Sequence, residues 1–195
     1  IHGKPVPAYR EEPGVSERSI TPTFAAMKVF VDNWRWNGVP FYLRSGKRLS
    51  GRWSEISIHF KAVPHMMFSN VFTEPIESNT LVLRVQPEEG INLLFETKEP
   101  GTKVCLRPVN MDFSYPTGVL LDAYEWVLLD CMLGDHMLFV REDGVEQAWK
   151  LLTPVISRLE EESKKKAISI YPAGAAGSPE AIRLMERDGR AWRPR

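Results

Sequence analysis

The sequence predicts an α+β domain, a large and mostly antiparallel sheet with helices packed on one face. Up to Tyr115 apolar residues alternate with polar ones in strand-like runs, and beyond Pro116 the repeat lengthens to about 3.6 residues. The turn Pro87-Glu-Glu-Gly90 is too short to carry a crossover, so the strands it joins pair antiparallel. A chain of 195 residues can bury a full core, and its length favours one domain.

Taken in order, residues 1–20 hold Pro5, Pro7 and Pro13 beside Glu11-Glu12 and follow neither hydrophobic period, which predicts an irregular leading segment. Ile1 is not an initiator, so the chain reads as a fragment whose first twenty residues link to something before them. Phe24, Val29, Phe30, Val31 and Trp34 favour a strand over residues 23–34, although Ala25-Ala-Met-Lys28 would also suit a helix. Pro40–Arg44 is a further strand. Across residues 53–60, Ile56, Ile58 and Phe60 alternate with Glu55, Ser57 and His59, the signature of a strand with one wet face. Residues 79–86 repeat the pattern, with Leu81, Leu83 and Val85 on one face and Val82, Arg84 and Gln86 on the other. Residues 91–97 and 109–115 continue it.

In the second half, Asp122 is placed to cap a helix bearing Tyr124, Val127, Leu128 and Cys131, closed by Gly134. Asp143-Gly-Val-Glu146 matches a capping box and opens a longer helix with Trp149, Leu152, Ile156 and Leu159, kinked at Pro154 and leaving into solvent at Lys164-Lys-Lys166. Ser178-Pro-Glu180 starts a last short helix that ends at Asp188-Gly189.

Lysine plus arginine and aspartate plus glutamate are both 25, so no net field draws the chain to nucleic acid or to an anionic membrane. No run approaches the roughly 18 apolar residues of a membrane span, and no signal-peptide core is present. The expectation is a soluble, cytoplasmic protein. Cys105 and Cys131 lack both the density of a disulfide scaffold and the spacing of a metal site, and reduced thiols follow. His2, His59, His65 and His136 are scattered without ligand spacing, so no metal is expected. No nucleophilic triad can be nominated. Six tryptophans could suggest base stacking, but without an RNP-like motif they fit a core or an interface better.

Local chemistry concentrates in Arg44-Ser-Gly-Lys47-Arg48-Leu-Ser-Gly-Arg52, four cations and two glycines between two strands. Glycine lets backbone N–H groups approach an oxyanion, and each partly desolvated cation can contribute about 1.5–3 kcal/mol of charge-assisted hydrogen bonding. A basic, solvated hairpin loop satisfies the same residues. A nucleotide P-loop does not: Gly46 and Gly51 have the glycine spacing, but Arg52-Trp53 replaces Lys-Ser/Thr, and a strand follows where a helix N-terminus is needed.

From Asp32 through Asn-Trp-Arg-Trp-Asn-Gly-Val-Pro-Phe-Tyr-Leu-Arg-Ser-Gly-Lys-Arg to Leu49, the chain resembles the C-terminal domain of bacterial-type glucose-6-phosphate 1-dehydrogenases. Leu83-Arg-Val-Gln-Pro87, Asp122-Ala-Tyr-Glu125, Phe139-Val-Arg141, Ala148-Trp149, Tyr171-Pro-Ala-Gly174 and Arg187-Asp-Gly-Arg190 extend the resemblance to the end, in the family's order. The resemblance implies that residues 21–195 are that domain and residues 1–20 its link to an N-terminal Rossmann-type domain. It implies oxidation of glucose 6-phosphate to the 6-phospho-lactone with NADP, in the oxidative pentose phosphate pathway, by a homodimer joined through the sheet. Lys47 and Arg52 match the two family cations that reach the substrate, and Gln86 a glutamine near it. The family's histidine base and coenzyme fingerprint do not occur here, so no catalytic residue is assigned and the chain alone is expected to be inactive. Arg44, Arg84 and Asp112 match parts of a second, structural NADP site of some relatives, but Trp53, Asn92 and Leu94 stand where cationic or tyrosyl residues are needed, and that site is expected to be absent. The alternative is a stand-alone, non-catalytic module that binds sugar phosphates or dimerises.

Overall fold

The computed structural model describes residues 5–62, 77–101, 105–115, 123–163 and 169–194. Its elements are β1 (Phe24–Phe30), β2 (Pro40–Gly46), β3 (Ser54–His59), β4 (Thr80–Gln86), β5 (Gly90–Lys98), β6 (Leu106–Ser114), α1 (Ala123–Leu133), α2 (Glu142–Ser163) and α3 (Pro179–Glu186). All described strand pairs are antiparallel, in a two-stranded sheet β1-β2 and a four-stranded sheet β3-β4-β5-β6. The α+β class and the order of elements are those the periodicity predicts. The chain forms two compact units, Ile1–Gly51 with Tyr124–Arg195, and Arg52–Ala123. Among the described residues no helix is long and apolar enough to cross a membrane.

In the first unit, β1 settles the ambiguity at residues 23–34 in favour of a strand, paired from Phe24↔Gly46 to Phe30↔Pro40. Residues 5–20 are irregular apart from one 3-10 turn at Tyr9–Glu11. Helix α3 starts on Ser178, whose Oγ accepts from the Ala181 N–H at 3.2 Å, and packs on β1 with Ala181 and Met185 buried. Both predicted glycine stops are αL caps: Gly134 has φ +72° and Gly189 φ +65°. The following N–H groups, of Asp135 and Arg190, reach back to the carbonyls of Asp130 and Met185 at 2.9 and 3.0 Å, closing Schellman motifs. Asp122 and Lys164–Lys166 lie outside the described residues. The expected capping box does not form. Helix α2 already begins at Glu142, with the Arg141 carbonyl accepting from the Val145 N–H, and the Asp143 carboxylate pairs with Arg141 at 2.7 Å instead of closing on Glu146. Helices α1 and α2 leave Leu128, Met132, Trp149 and Leu151 exposed.

The segment after α3 returns to the hairpin. Asp188 accepts from Lys28 Nζ at 2.7 Å and from the Tyr42 hydroxyl, and Arg190 Nη1 donates to the same hydroxyl at 3.4 Å. The hydrogen bond from Lys28, then that from Tyr42, holds the Asp188 carboxyl below its usual 3.8, and the same bond raises Lys28 above 10.5. A depressed carboxyl stabilises the fold above its unfolded value, and that contribution fades as pH falls through the folded one. A raised ammonium contributes fully below its unfolded value and fades as pH rises through the folded one. The difference in melting temperature between wild type and Asp188→Asn is therefore widest between about pH 4 and pH 10.5 and narrows beyond either end. A difference that stays constant on acidification would remove Asp188 from the stabilising network.

The four-stranded unit has two unlike faces. Register places Ile56, Leu83, Ile91 and Phe113 in one cross-strand row and Ile58, Leu81, Leu93 and Met111 in the next. These two rows are apolar throughout, and Met111 and Phe113 remain 59% and 51% exposed. The opposite face carries Ser57, Val82, Asn92 and Asp112 in one row and His59, Thr80, Leu94 and Asn110 in the next. Val82 and Leu94 do not make this second face apolar: Val82 is only 1% exposed within the chain itself, and its neighbours are mostly polar. Exposed apolar area lies on the face of Ile56 and Phe113.

Candidate functional site

The basic loop is a built turn, held by a strap from residues 171–176. Lys47 is fixed on both sides of its peptide: its N–H donates to the Thr23 carbonyl at 2.8 Å and its C=O accepts from the Tyr171 hydroxyl at 2.8 Å. Arg48 follows at φ +50°, a left-handed conformation that a side chain enters only where its surroundings fix it. Its carbonyl accepts from the Gly174 N–H at 2.8 Å, and the Ser50 N–H donates to the Ala175 carbonyl at 3.0 Å.

The four cations of the loop divide into two pairs. Arg44 stacks over Trp192, 4.6 Å from the ring centroid, and its Nη1 donates to the Ala176 carbonyl at 3.3 Å. Arg48 makes an ion pair with Glu12 at 2.8 Å. Lys47 and Arg52 have exposed side chains that form no ion pair or hydrogen bond with any described residue. Two of the four are thus structural and two are available to an anion. Glycine's role differs from the expected one at Gly46. A Cβ there would lie 2.5 Å from the Phe24 ring, so this glycine admits Phe24, which also packs on Tyr171 with centroids 5.4 Å apart.

Lys47 belongs to the first unit, Arg52 and Gln86 to the four-stranded one. Within the latter, Gln86 is the register partner of Ser54, two residues after Arg52, so Arg52 and Gln86 come to the same end of the β3-β4 pair, both exposed. The sequence could not separate the structural from the available cations, because the partners Glu12, Ala176 and Trp192 are remote along the chain. Tyr171 carried only its membership of a family motif.

Arg84 and Asp112 face each other across β5. Arg84 Nη1 and Nη2 donate to the two Asp112 carboxylate oxygens at 2.9 and 3.2 Å, and Nη2 also reaches the Phe113 carbonyl at 3.1 Å and Ser114 Oγ at 2.7 Å. Asn92 Nδ2 donates to Asp112 at 3.2 Å and to Asn110 Oδ1 at 2.5 Å. Hydrogen bonds from Arg84 first, then Asn92, keep the Asp112 carboxyl below its usual range. Arg44, Arg84 and Asp112 are thus each engaged with protein partners. Among the described residues no group of three or more histidine, cysteine or carboxylate side chains could hold a metal, and Cys105 and Cys131 are free thiols.

The family model described as "Glucose-6-phosphate dehydrogenase, C-terminal domain" matches residues 1–193. Glucose-6-phosphate 1-dehydrogenase of Chlamydia pneumoniae is 45% identical over 199 residues, covering 100% of this chain and 39% of that protein. The enzyme of the same name from Treponema pallidum (strain Nichols) is 44% identical, covering 98% of this chain and 38% of its own. A solved glucose-6-phosphate dehydrogenase in complex with its substrate glucose-6-phosphate superposes with TM-score 0.83 at 34% identity, covering 96% of this chain and 38% of that one. The crystal structure of glucose-6-phosphate 1-dehydrogenase from Mycobacterium avium gives TM-score 0.76 at 34% identity, covering 95% and 38%. The chain spans about two-fifths of the length of these relatives. A whole-chain match to the family model, identity well above the level at which folds diverge, and a shared antiparallel α+β architecture together make this chain a member of the glucose-6-phosphate dehydrogenase family, corresponding to its C-terminal domain.

Proposed function

We propose that this chain is the substrate-binding and dimerisation portion of an NADP-dependent glucose-6-phosphate dehydrogenase, in which Lys47, Arg52 and Gln86 hold glucose 6-phosphate. The observation that carries this reading is the division of the basic loop: the side chains of Arg44 and Arg48 are engaged, while those of Lys47 and Arg52 have no hydrogen-bond or ion-pair partner among the described residues. A sugar phosphate brings about two negative charges and several hydroxyl groups. Two cations and an amide that both donates and accepts can fix such a ligand in one orientation.

In the reaction the C1–H of the sugar leaves as hydride and the C1 hydroxyl proton passes to a base, giving the 6-phospho-1,5-lactone. NADP supplies the hydride acceptor when bound, and its site is assigned to polypeptide outside this chain, since the 195 residues contain no glycine-rich coenzyme fingerprint. No base is assigned here either, so the chain alone is inactive in this reading. A second, structural NADP is not part of the proposal. The homodimer is assigned to the sheet, where the apolar face bearing Met111 and Phe113 supplies the area, and the protein is placed in the cytoplasm.

The full-length protein that carries this chain is expected to reduce NADP when given glucose 6-phosphate and not when given fructose 6-phosphate, followed by the absorbance of the reduced nicotinamide. No reduction with glucose 6-phosphate would end the reading.

A further inference from the structure

We infer that Tyr171 is a positioning residue for the sugar phosphate, acting through the backbone of Lys47; the inference rests on the substrate reading above. A lysine side chain turns about four bonds, so the protein controls where its ammonium can go mainly by fixing the Cα from which it swings. At Lys47 that fixing is unusually complete. The Tyr171 hydroxyl lies 2.8 Å from the Lys47 carbonyl and 3.0 Å from the Thr23 carbonyl, the same oxygen that accepts from the Lys47 N–H. One phenol, its single proton shared between the two carbonyl oxygens, therefore ties the Lys47 peptide to Thr23.

The ring is placed independently of the hydroxyl, by packing against Phe24, whose other sides are admitted by Gly46 and Gly177. Downstream of the phenol, the same strap grips Arg48 through Gly174 and Ser50 through Ala175, so the turn is held immediately after Lys47 as well. Removing the hydroxyl and keeping the ring leaves the packing intact and frees an exposed carbonyl to water, which has little effect on stability. What it loosens is the origin of the lysine. The consequence is weaker capture of the phosphate-bearing substrate, with the chemistry at C1 unchanged.

The test is a double-mutant cycle in the full-length protein, with Tyr171→Phe, Lys47→Met and the combination, each assayed for kcat and for KM toward both glucose 6-phosphate and NADP. Tyr171→Phe is expected to raise KM for glucose 6-phosphate roughly 5- to 10-fold, leave kcat and KM for NADP within about twofold, and have no further effect once Lys47 is replaced. Backbone amide exchange at residues 47–50 is expected to quicken in Tyr171→Phe. An equal penalty in both backgrounds, or no penalty where Lys47→Met has one, overturns the positioning role and leaves the substrate reading standing. Wild-type kinetics in Lys47→Met sinks the substrate reading, and this inference with it.

Discussion

Replacing Lys47 by alanine is expected to lower kcat/KM for glucose 6-phosphate by roughly 10- to 150-fold, the equivalent of losing one charge-assisted contact worth about 1.5–3 kcal/mol. The effect is expected chiefly in KM if the contact is made equally in ground and transition states, and Arg52→Ala should behave in the same way. Arg48→Ala is the internal control. It deletes a cation from the same loop, one residue away, but a cation paired with Glu12 at 2.8 Å. Its loss is worth at most about 1 kcal/mol of stability, because the pair is partly exposed, and little in KM. A general field effect of a basic loop would predict similar losses for all three substitutions, each relieved by salt. Individual contacts predict two large losses and one small one. Equal penalties, or an unaffected Lys47→Ala, would return the loop to the reading of a solvated basic turn.

That contrast also marks where sequence reasoning reached and where it stopped. Strands β3 to β6 were legible because alternation over six to nine residues has a period no helix shares, and the stops at Gly134 and Gly189 because αL caps favour glycine. Residues 24–30 were ambiguous by composition, and pairing with β2 decided them. The capping box at Asp143 failed because Arg141, just outside the helix, competes for the same carboxylate. Gly46 looked like an anion-binding glycine because its true reason, the Phe24 ring, sits across the hairpin. Within the candidate site, the basic loop that holds Lys47 and Arg52 stood out by its local composition, whereas the substrate role of those two cations, and Gln86 altogether, came from family resemblance. The distinction between structural and available cations depends on Glu12, Ala176 and Trp192, which no local pattern connects to the loop. Alternation put Leu83 and Val82 on opposite faces of the sheet but could not say which face stays dry, because that depends on what packs over each face.

Gly90→Ala is expected to destabilise the four-stranded sheet by about 2–4 kcal/mol. Gly90 pairs with Arg84 on one side and Ser114 on the other. The Arg84 side chain crosses directly over it to reach Asp112, Phe113 and Ser114 on β6. A Cβ at residue 90 would fall 2.4 Å from Arg84 Nη2 and 2.4 Å from the Phe113 carbonyl oxygen. The arginine can withdraw, at the expense of its carboxylate and carbonyl partners; the backbone oxygen cannot move without opening the β5-β6 ladder. The guanidinium already tolerates one deficit, a buried Nε with no hydrogen-bond partner among the described residues, so it has little to give. Arg84→Ala in the same background should recover only part of the loss, since it removes one of the two clashes and leaves the backbone one. Thermal unfolding and amide exchange at β5 and β6 measure both variants. If Gly90→Ala melts with wild type and keeps its β6 amides protected, the arginine bridge across β5 is not what holds that edge of the sheet.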